Sequence, residues 1–137
     1  MAERPRDRLG RPLPIGTAPE DAAPPVMDVT GLDDAAVWAV AMDYIGQGMP
    51  FHAHEVFEQR WRGSSGPDKD AWRALAQWGA ALTHAARGNE RGARRLARRA
   101  LETLDPAPRI PDCIDVGGVR SSCRGIAADG PGGRVSD

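Results

Sequence analysis

The sequence predicts an all-α fold, and three features of its 137 residues indicate this class. Apolar residues recur at helical spacing through the middle of the chain. No segment alternates apolar and polar residues over the length of a strand. The 16 glycines and 12 prolines concentrate towards the two ends, so the middle is free to form long helices with short connections. We therefore expect a compact bundle of four main helices, a short C-terminal helix and an extended N-terminal arm.

The first two predicted helices lie on either side of a glycine-rich connection. Thr30, followed three residues later by Asp33, is similar to a capping box and predicts the start of the first helix. That helix should end at Gly46 or Gly48. The second helix should begin at Pro50, because a first helical turn tolerates proline, and continue to about residue 62.

Two long helices and one short helix follow. The third is predicted over about 68–87 and the fourth over 90–104, with a Gly-Asn pair between them. The prolines that directly follow the fourth helix terminate it. Asp115 could then cap a short helix that ends near Val119.

The length of the chain corresponds to one domain. We expect a proline-rich arm over residues 1–27, a single helical domain over 28–127 and a disordered tail over 128–137. A core of this size gives little stability by itself, so a homodimer formed through an apolar helix face is expected.

Composition argues against several classes of partner. The formal net charge of -1 gives no overall attraction to nucleic acid or to anionic membranes. The arginines between residues 87 and 99 lack interleaved aromatic residues, so we do not expect nucleic acid binding. No apolar run is long enough to cross a membrane and no leader pattern is recognisable, which favours the cytoplasm. Cys113 and Cys123 match no redox or zinc spacing and should be reduced thiols.

The second predicted helix, FHAHEVFEQRWR, carries the residues that could do chemistry. At about 100° per residue, His54 and Glu58 fall on the same face as Phe57 and Trp61. Ionisable groups on an apolar face need a partner, a hydrogen bond or a metal ion, because their burial is costly. Glu55 lies at the edge of this face, whereas His52 points away from it and is expected at the surface.

The third predicted helix could supply further polar groups to the same place. Gln77 and His84 share one stripe of that helix and could face His54 and Glu58. Imidazole and carboxylate groups of this kind bind zinc, manganese or iron in helical bundles. The metalloprotease pattern H-E-x-x-H is absent, because Glu58 stands where its second histidine would be. A buried His54–Glu58 pair that fixes helix packing, or a site for an organic ligand, are the alternatives.

Three motifs in this order resemble the family known as domain of unknown function 309. They are FHAHEVFEQRW, WRALAQWGAALTHAARGNERGARRLARRAL and DCIDVGGVR, and the likeness extends over about residues 32–125. The resemblance implies a compact all-helical fold and a metal-dependent hydrolase whose activity has not been assigned. Phe57 and Trp78 differ from the residues usual in the family, and only Trp78 is expected to change packing near the site. The family's marked positions correspond here to His54, Glu55, Glu58, Trp61, Gln77, His84, Gly88, Asn89, Gly92 and Ala93.

These observations lead to two hypotheses of function. In the first, His54, Glu58 and His84 bind a divalent metal, Glu55 acts as the catalytic base, and Gln77 and Trp61 bind an unidentified small-molecule substrate. In the second, the chain is a non-enzymatic helical scaffold or dimerisation module, and the His/Glu cluster is structural.

Overall fold

The computed structural model describes residues 4–128, and the helices within that range confirm the all-α class. A short 3-10 turn at Pro19–Asp21 precedes them. The five α-helices are α1 (Asp34–Gly46), α2 (Pro50–Arg62), α3 (Lys69–Ala86), α4 (Glu90–Leu104) and α5 (Val116–Ala128). The bounds of α2 and α4 agree with those predicted, and α3 is one residue shorter at each end.

Helix α1 begins later than the capping-box pattern at Thr30 indicates. Its N-cap is Asp33, whose side chain accepts a hydrogen bond of 2.8 Å from the backbone N–H of Ala36. Gly31 adopts a φ of 83° between these positions, so the chain turns before the helix can start. The predicted cap at Thr30 is therefore wrong by three residues.

Helix α5 is much longer than the short C-terminal helix that the sequence predicts. Asp115 does cap it, since the Asp115 Oδ1 atom accepts from the backbone N–H of Gly118 at 3.0 Å. The helix continues to Ala128 because Val119 and Cys123 are buried against the bundle, and this packing outweighs the low helix propensity of its glycines. Beyond Ala128 the predicted tail lies outside the described residues.

Helix α3 lies at the centre of the bundle and contacts α2, α4 and α5. An aromatic cluster joins it to the two preceding helices. The ring of Trp78 lies 6.4 Å from that of Trp38 and 6.1 Å from that of Phe57, and its Nε1–H donates to Ser122 Oγ at 2.9 Å. Trp78 therefore belongs to the core between α3 and α5.

The described part of the arm, residues 4–27, contains no α-helix: extended stretches alternate with turns, the 3-10 turn and one isolated bridge between Arg6 and Pro12, and the arm lies along the bundle. A tight loop is closed by Asp7, whose Oδ1 accepts from the N–H groups of Leu9 and Arg11, each at 2.9 Å. At the tip of this loop, Gly10 is buried against the ring of Phe51. The arm does not dock through Ile15, which is 85% exposed.

Two further predictions from the sequence concern membrane-spanning segments and the two cysteines. None of their helices is long and apolar enough to span a membrane. Cys113 and Cys123 are free thiols, and burial raises the pKa of the Cys123 thiol to about 11, so it is unreactive at neutral pH.

Candidate functional site

The imidazole of His54 is oriented by a hydrogen bond from α2 to the backbone of α3. Its Nδ1 atom lies 2.8 Å from the carbonyl oxygen of Ala76. A carbonyl can only accept, so Nδ1 carries a proton, and in the neutral imidazole the Nε2 lone pair is then free for a ligand. The close approach depends on Gly79, where an added Cβ atom would lie 2.8 Å from the His54 Cα. The sequence places a small residue where the two helices meet.

Two carboxylates lie beside this free nitrogen. His54 Nε2 is 3.8 Å from Glu55 Oε2 and 3.8 Å from Glu58 Oε2. One ligand atom from each of the three residues lies within 4.8 Å of the others. Their side chains are 20% (His54), 39% (Glu55) and 30% (Glu58) exposed. The group therefore lies at the edge of the core, where solvent and a ligand can reach it, rather than inside the core as the helical periodicity suggests.

One arginine contacts this group, and a second lies near the neighbouring Trp61 ring. Arg62 Nε lies 3.6 Å from Glu58 Oε1, the oxygen that does not face His54. The guanidinium groups of Arg62 and Arg73 also lie 5.3 Å and 5.8 Å from the ring centre of Trp61. Two guanidinium groups therefore already lie against the Trp61 ring. The assignment of Trp61 as a substrate-binding residue stays a prediction.

His84 has a defined tautomer that differs from that of His54. Its Nδ1 lies 3.0 Å from Asn89 Nδ2, while Asn89 Oδ1 accepts from the backbone N–H of Gly92 at 3.1 Å. The amide nitrogen of Asn89 must therefore donate to His84 Nδ1, which leaves the proton of a neutral imidazole on Nε2. Burial lowers the pKa of His84, and the positive charges of Arg87 and Arg95 lower it further, so the ring is neutral at neutral pH.

Both histidines line a pocket of about 120 Å³ that is open to solvent on one side. Phe51 and His54 from α2 meet a face of α3 there, and the α3 residues recur at helical spacing. The lining residues are Phe51, His54, Ala80, Thr83, His84 and Arg87.

The predicted metal ligands are only partly brought together. His54 and Glu58 lie in the three-residue group, and Glu55, predicted as the base, lies there too. His84 is outside that group and lines the pocket next to His54 instead, so its role as a metal ligand stays a prediction. Gln77 does not line the pocket, and its buried Oε1 atom has no hydrogen-bond partner among the described residues.

The expectation that His52 lies at the surface is wrong. It is 2% exposed, its Nε2–H donates to the carbonyl of Pro24 at 2.6 Å, and its ring centre lies 5.1 Å from that of Tyr44. The arm crosses this side of α2 and covers a histidine that the helical pattern alone leaves in water.

Sequence reasoning also missed two residues of the pocket. The sequence patterns assign Phe51 no role, and Arg87 is there only one of the arginines between residues 87 and 99. Arg87 follows His84 by three residues and is the C-cap of α3, so helical i,i+3 spacing could have placed it beside His84 at the pocket.

Comparison with known families locates this site within a matched segment. Residues 38–96 match the family model described as Domain of unknown function (DUF309). This segment, less than half of the chain, is therefore similar to the DUF309 family. The DUF309 segment contains the three-residue group and every residue that lines the pocket, whereas the late motif DCIDVGGVR lies beyond it. No curated protein and no solved structure matched the chain.

Proposed function

We propose that the chain is a metal-dependent hydrolase in which His54 and Glu58 hold a divalent ion and Glu55 acts as the base. Zinc, manganese and iron are the metals that suit one imidazole nitrogen and carboxylate oxygens. The observation that carries the proposal is the hydrogen bond from His54 Nδ1 to the Ala76 carbonyl, which directs Nε2, the coordinating nitrogen of the neutral imidazole, towards two carboxylates.

The donor set fits a metal ion because the three groups do not satisfy one another. At 3.8 Å, neither carboxylate oxygen lies within hydrogen-bond distance of His54 Nε2. A histidine fixed through Nδ1–H to a backbone carbonyl is a common outer-sphere arrangement of metal ligands. A bound ion would supply a water whose pKa is lowered to about 7.

The residues around the ion would have separate tasks. Arg62 contacts the outer oxygen of Glu58 and so restrains that carboxylate with its other oxygen towards His54. Glu55 is the most exposed of the three, 39% against 30% for Glu58, and is free to accept a proton from water. The adjoining pocket offers space for part of a substrate next to His54.

A non-enzymatic scaffold is the second candidate function, and one contact favours it. The His54–Ala76 hydrogen bond and the packing of Gly79 on His54 hold α2 against α3 without any ion. In that case the carboxylates of Glu55 and Glu58 would only be hydrated polar groups at the solvent-facing edge of α2.

Metal analysis separates the two functions. Protein purified without chelator should contain close to one equivalent of zinc, manganese or iron, and each added metal that binds should raise the melting temperature. Glu58→Gln should lose both effects, whereas Glu102→Gln, an exposed carboxylate on α4, should keep them. Several preparations without metal, and unaltered melting on addition of all three, would establish the scaffold instead.

Hydrolysis is tested on the metal-loaded protein. It should cleave 4-nitrophenyl acetate or bis(4-nitrophenyl) phosphate, and Glu55→Gln should retain the metal while kcat falls by about 100-fold or more. Metal binding without cleavage of either ester would give the ion a non-hydrolytic role.

A further inference from the structure

We propose that the pocket lined by Phe51, His54, Ala80, Thr83, His84 and Arg87 binds an oxyanion, the carboxylate or phosphate group of a small molecule. The role of this pocket as a substrate site rests on the hydrolase function proposed above. It identifies the substrate class of that hydrolase as small molecules that carry a carboxylate or a phosphate group. The binding of the oxyanion itself depends on His84 and Arg87 and requires no metal.

His84 presents a hydrogen-bond donor in the pocket. Its Nδ1 is held by Asn89, whose own amide orientation is fixed by the N–H of Gly92. The remaining ring nitrogen, Nε2, therefore carries a proton, and no protein acceptor for it appears among the hydrogen bonds of the described residues. A neutral imidazole N–H of this kind can donate to a ligand oxygen over a wide pH range.

Arg87 supplies a cation whose direction is set by the arm. Its Nε–H donates to the carbonyl of Leu9 at 2.9 Å, which leaves the two terminal nitrogens for a ligand. Two terminal N–H groups in a plane match the two oxygens of a carboxylate or phosphate. Arg95 adds positive charge close enough to affect His84, and no acidic residue lines the pocket.

The size and remaining walls of the pocket limit what the oxyanion is attached to. The volume of about 120 Å³ is well below the roughly 300–1,000 Å³ of pockets that enclose drug-sized ligands, so the site takes one group of a molecule. Phe51 and Ala80 provide an apolar wall beside the two donors. A short carbon segment next to the anionic group would contact this wall, while the reactive bond lay towards His54.

The arm loop contributes to the pocket by fixing two of its residues. Asp7 closes the loop through three hydrogen bonds, to Leu9 N–H, Arg11 N–H and the Arg11 guanidinium. The closed loop directs the Leu9 carbonyl to Arg87 and seats Gly10 on Phe51. The guanidinium of Arg6 lies 5.1 Å from the centre of the same Phe51 ring. The described part of the arm, which contains no α-helix, is therefore part of the proposed binding site.

Titration of metal-free protein with inorganic phosphate and, separately, with acetate tests the proposal. The protein is treated with chelator and dialysed into Tris chloride. Affinity is measured by isothermal titration calorimetry in every variant, and the side-chain ¹H–¹⁵N resonances of His84 are followed in those that retain it. We expect saturable binding with a shift of the Nε2 resonance, weakened about tenfold in Arg87→Gln and in His84→Phe. Arg98→Gln, which removes the same charge from an exposed position on α4, should bind like the wild type.

The outcomes separate this proposal from the metal centre. Glu58→Gln should lose metal binding and retain oxyanion binding. If the wild type binds an oxyanion but no metal, only the metal centre is refuted, and if it binds metal but no oxyanion, only the oxyanion pocket is refuted. Saturation by phosphate alone, or by acetate alone, identifies the oxyanion. Absence of saturation with both, or equal weakening in Arg87→Gln and Arg98→Gln, would overturn the proposal in favour of general attraction to positive charge.

Discussion

The Nδ1 atom of His54 lies 2.8 Å from the carbonyl oxygen of Ala76, so the backbone of α3 sets the direction of a side chain on α2. Neither helix alone could orient this imidazole. The contact requires the two backbones to approach closely, and Gly79 permits that approach. Any change that separates the helices should therefore affect the His/Glu group before it affects the rest of the bundle.

We predict that Gly79→Ala destabilises the protein and weakens metal binding together. The new methyl group would lie 2.8 Å from the His54 Cα and 3.0 Å from its Cβ, so α2 must move away from α3. Overpacking of this kind costs about 1–3 kcal/mol in the free energy of unfolding, measurable by urea denaturation. Gly125→Ala is the control, because nothing lies within 4 Å of its Cβ position in α5 and the change should stabilise the helix. Equal effects of both substitutions would contradict the close-approach argument.

We predict that Glu58→Ala has a small effect on the stability of the metal-free protein. A fully buried His54–Glu58 pair would make the loss about 1–3 kcal/mol, as the helical pattern suggests. The Glu58 side chain is 30% exposed, however, and its contacts to His54 and Arg62 are 3.8 Å and 3.6 Å long. Loose pairs of this kind contribute less than about 1 kcal/mol. Urea denaturation of the wild type and of Glu58→Ala, with and without chelator, measures the difference in the free energy of unfolding. A large loss of stability in the presence of chelator would mean that the His54–Glu58 pair is structural.

The fold could be predicted from the sequence because local patterns determine most of it. The bounds of α2 and α4 follow from Pro50, from the Gly-Ser-Ser-Gly segment after residue 62, and from the residues that flank residues 90–104. Helix α5 was underestimated because its stability comes from burying Val119 and Cys123, which local propensity does not report.

The candidate site could be predicted only in part, as His52 and His54 illustrate. Helical periodicity assigned His54 to the core and His52 to solvent, but His52 is 2% exposed and the side chain of His54 is 20% exposed. Periodicity describes the faces of one helix and cannot tell which neighbour covers each face. Here the arm covers His52 through Pro24, and a contact between residues 28 positions apart leaves no trace in local spacing.

We predict that the chain forms a homodimer through a helix face. The core is small, and burial of apolar surface between two copies of the chain would add to its stability. Among the described residues the large exposed apolar side chains are Ile15 and Met27, both in the arm, so an interface on a helix would use half-buried residues such as Leu96 and Leu101. Light scattering at tens of micromolar measures the mass, and a monomer at that concentration would refute the prediction.

We predict that part of the stability is lost when the pH falls below about 6.5, and that His84 is responsible. Burial, Arg87 and Arg95 hold the pKa of His84 below its ordinary value of 6.5 in the folded protein. Between the folded and ordinary values the unfolded chain binds more protons, so the free energy of unfolding decreases as the pH falls through that window. In chelator, His84→Gln should show a shallower dependence between pH 7 and pH 5 than the wild type. An unchanged slope would show that other groups cause the acid sensitivity.

We predict that Gly10→Ala opens the arm loop and weakens oxyanion binding while the helical bundle stays folded. Gly10 has a φ of 81°, and a Cβ atom there would lie 2.2 Å from the Phe51 Cγ, so both the loop and the ring must move. Movement of the loop would withdraw the Leu9 carbonyl from Arg87 and release the guanidinium. We expect faster amide exchange over residues 5–13 and phosphate affinity reduced about fivefold, with little change in melting temperature because the arm carries little of the core. Gly16→Ala is the matched control: its φ is 94°, so the backbone strain is similar, but nothing lies within 4 Å of its Cβ position. If the two variants weakened phosphate binding equally, backbone strain in the arm would be the cause and the contact between Gly10 and Phe51 would have no part in the pocket.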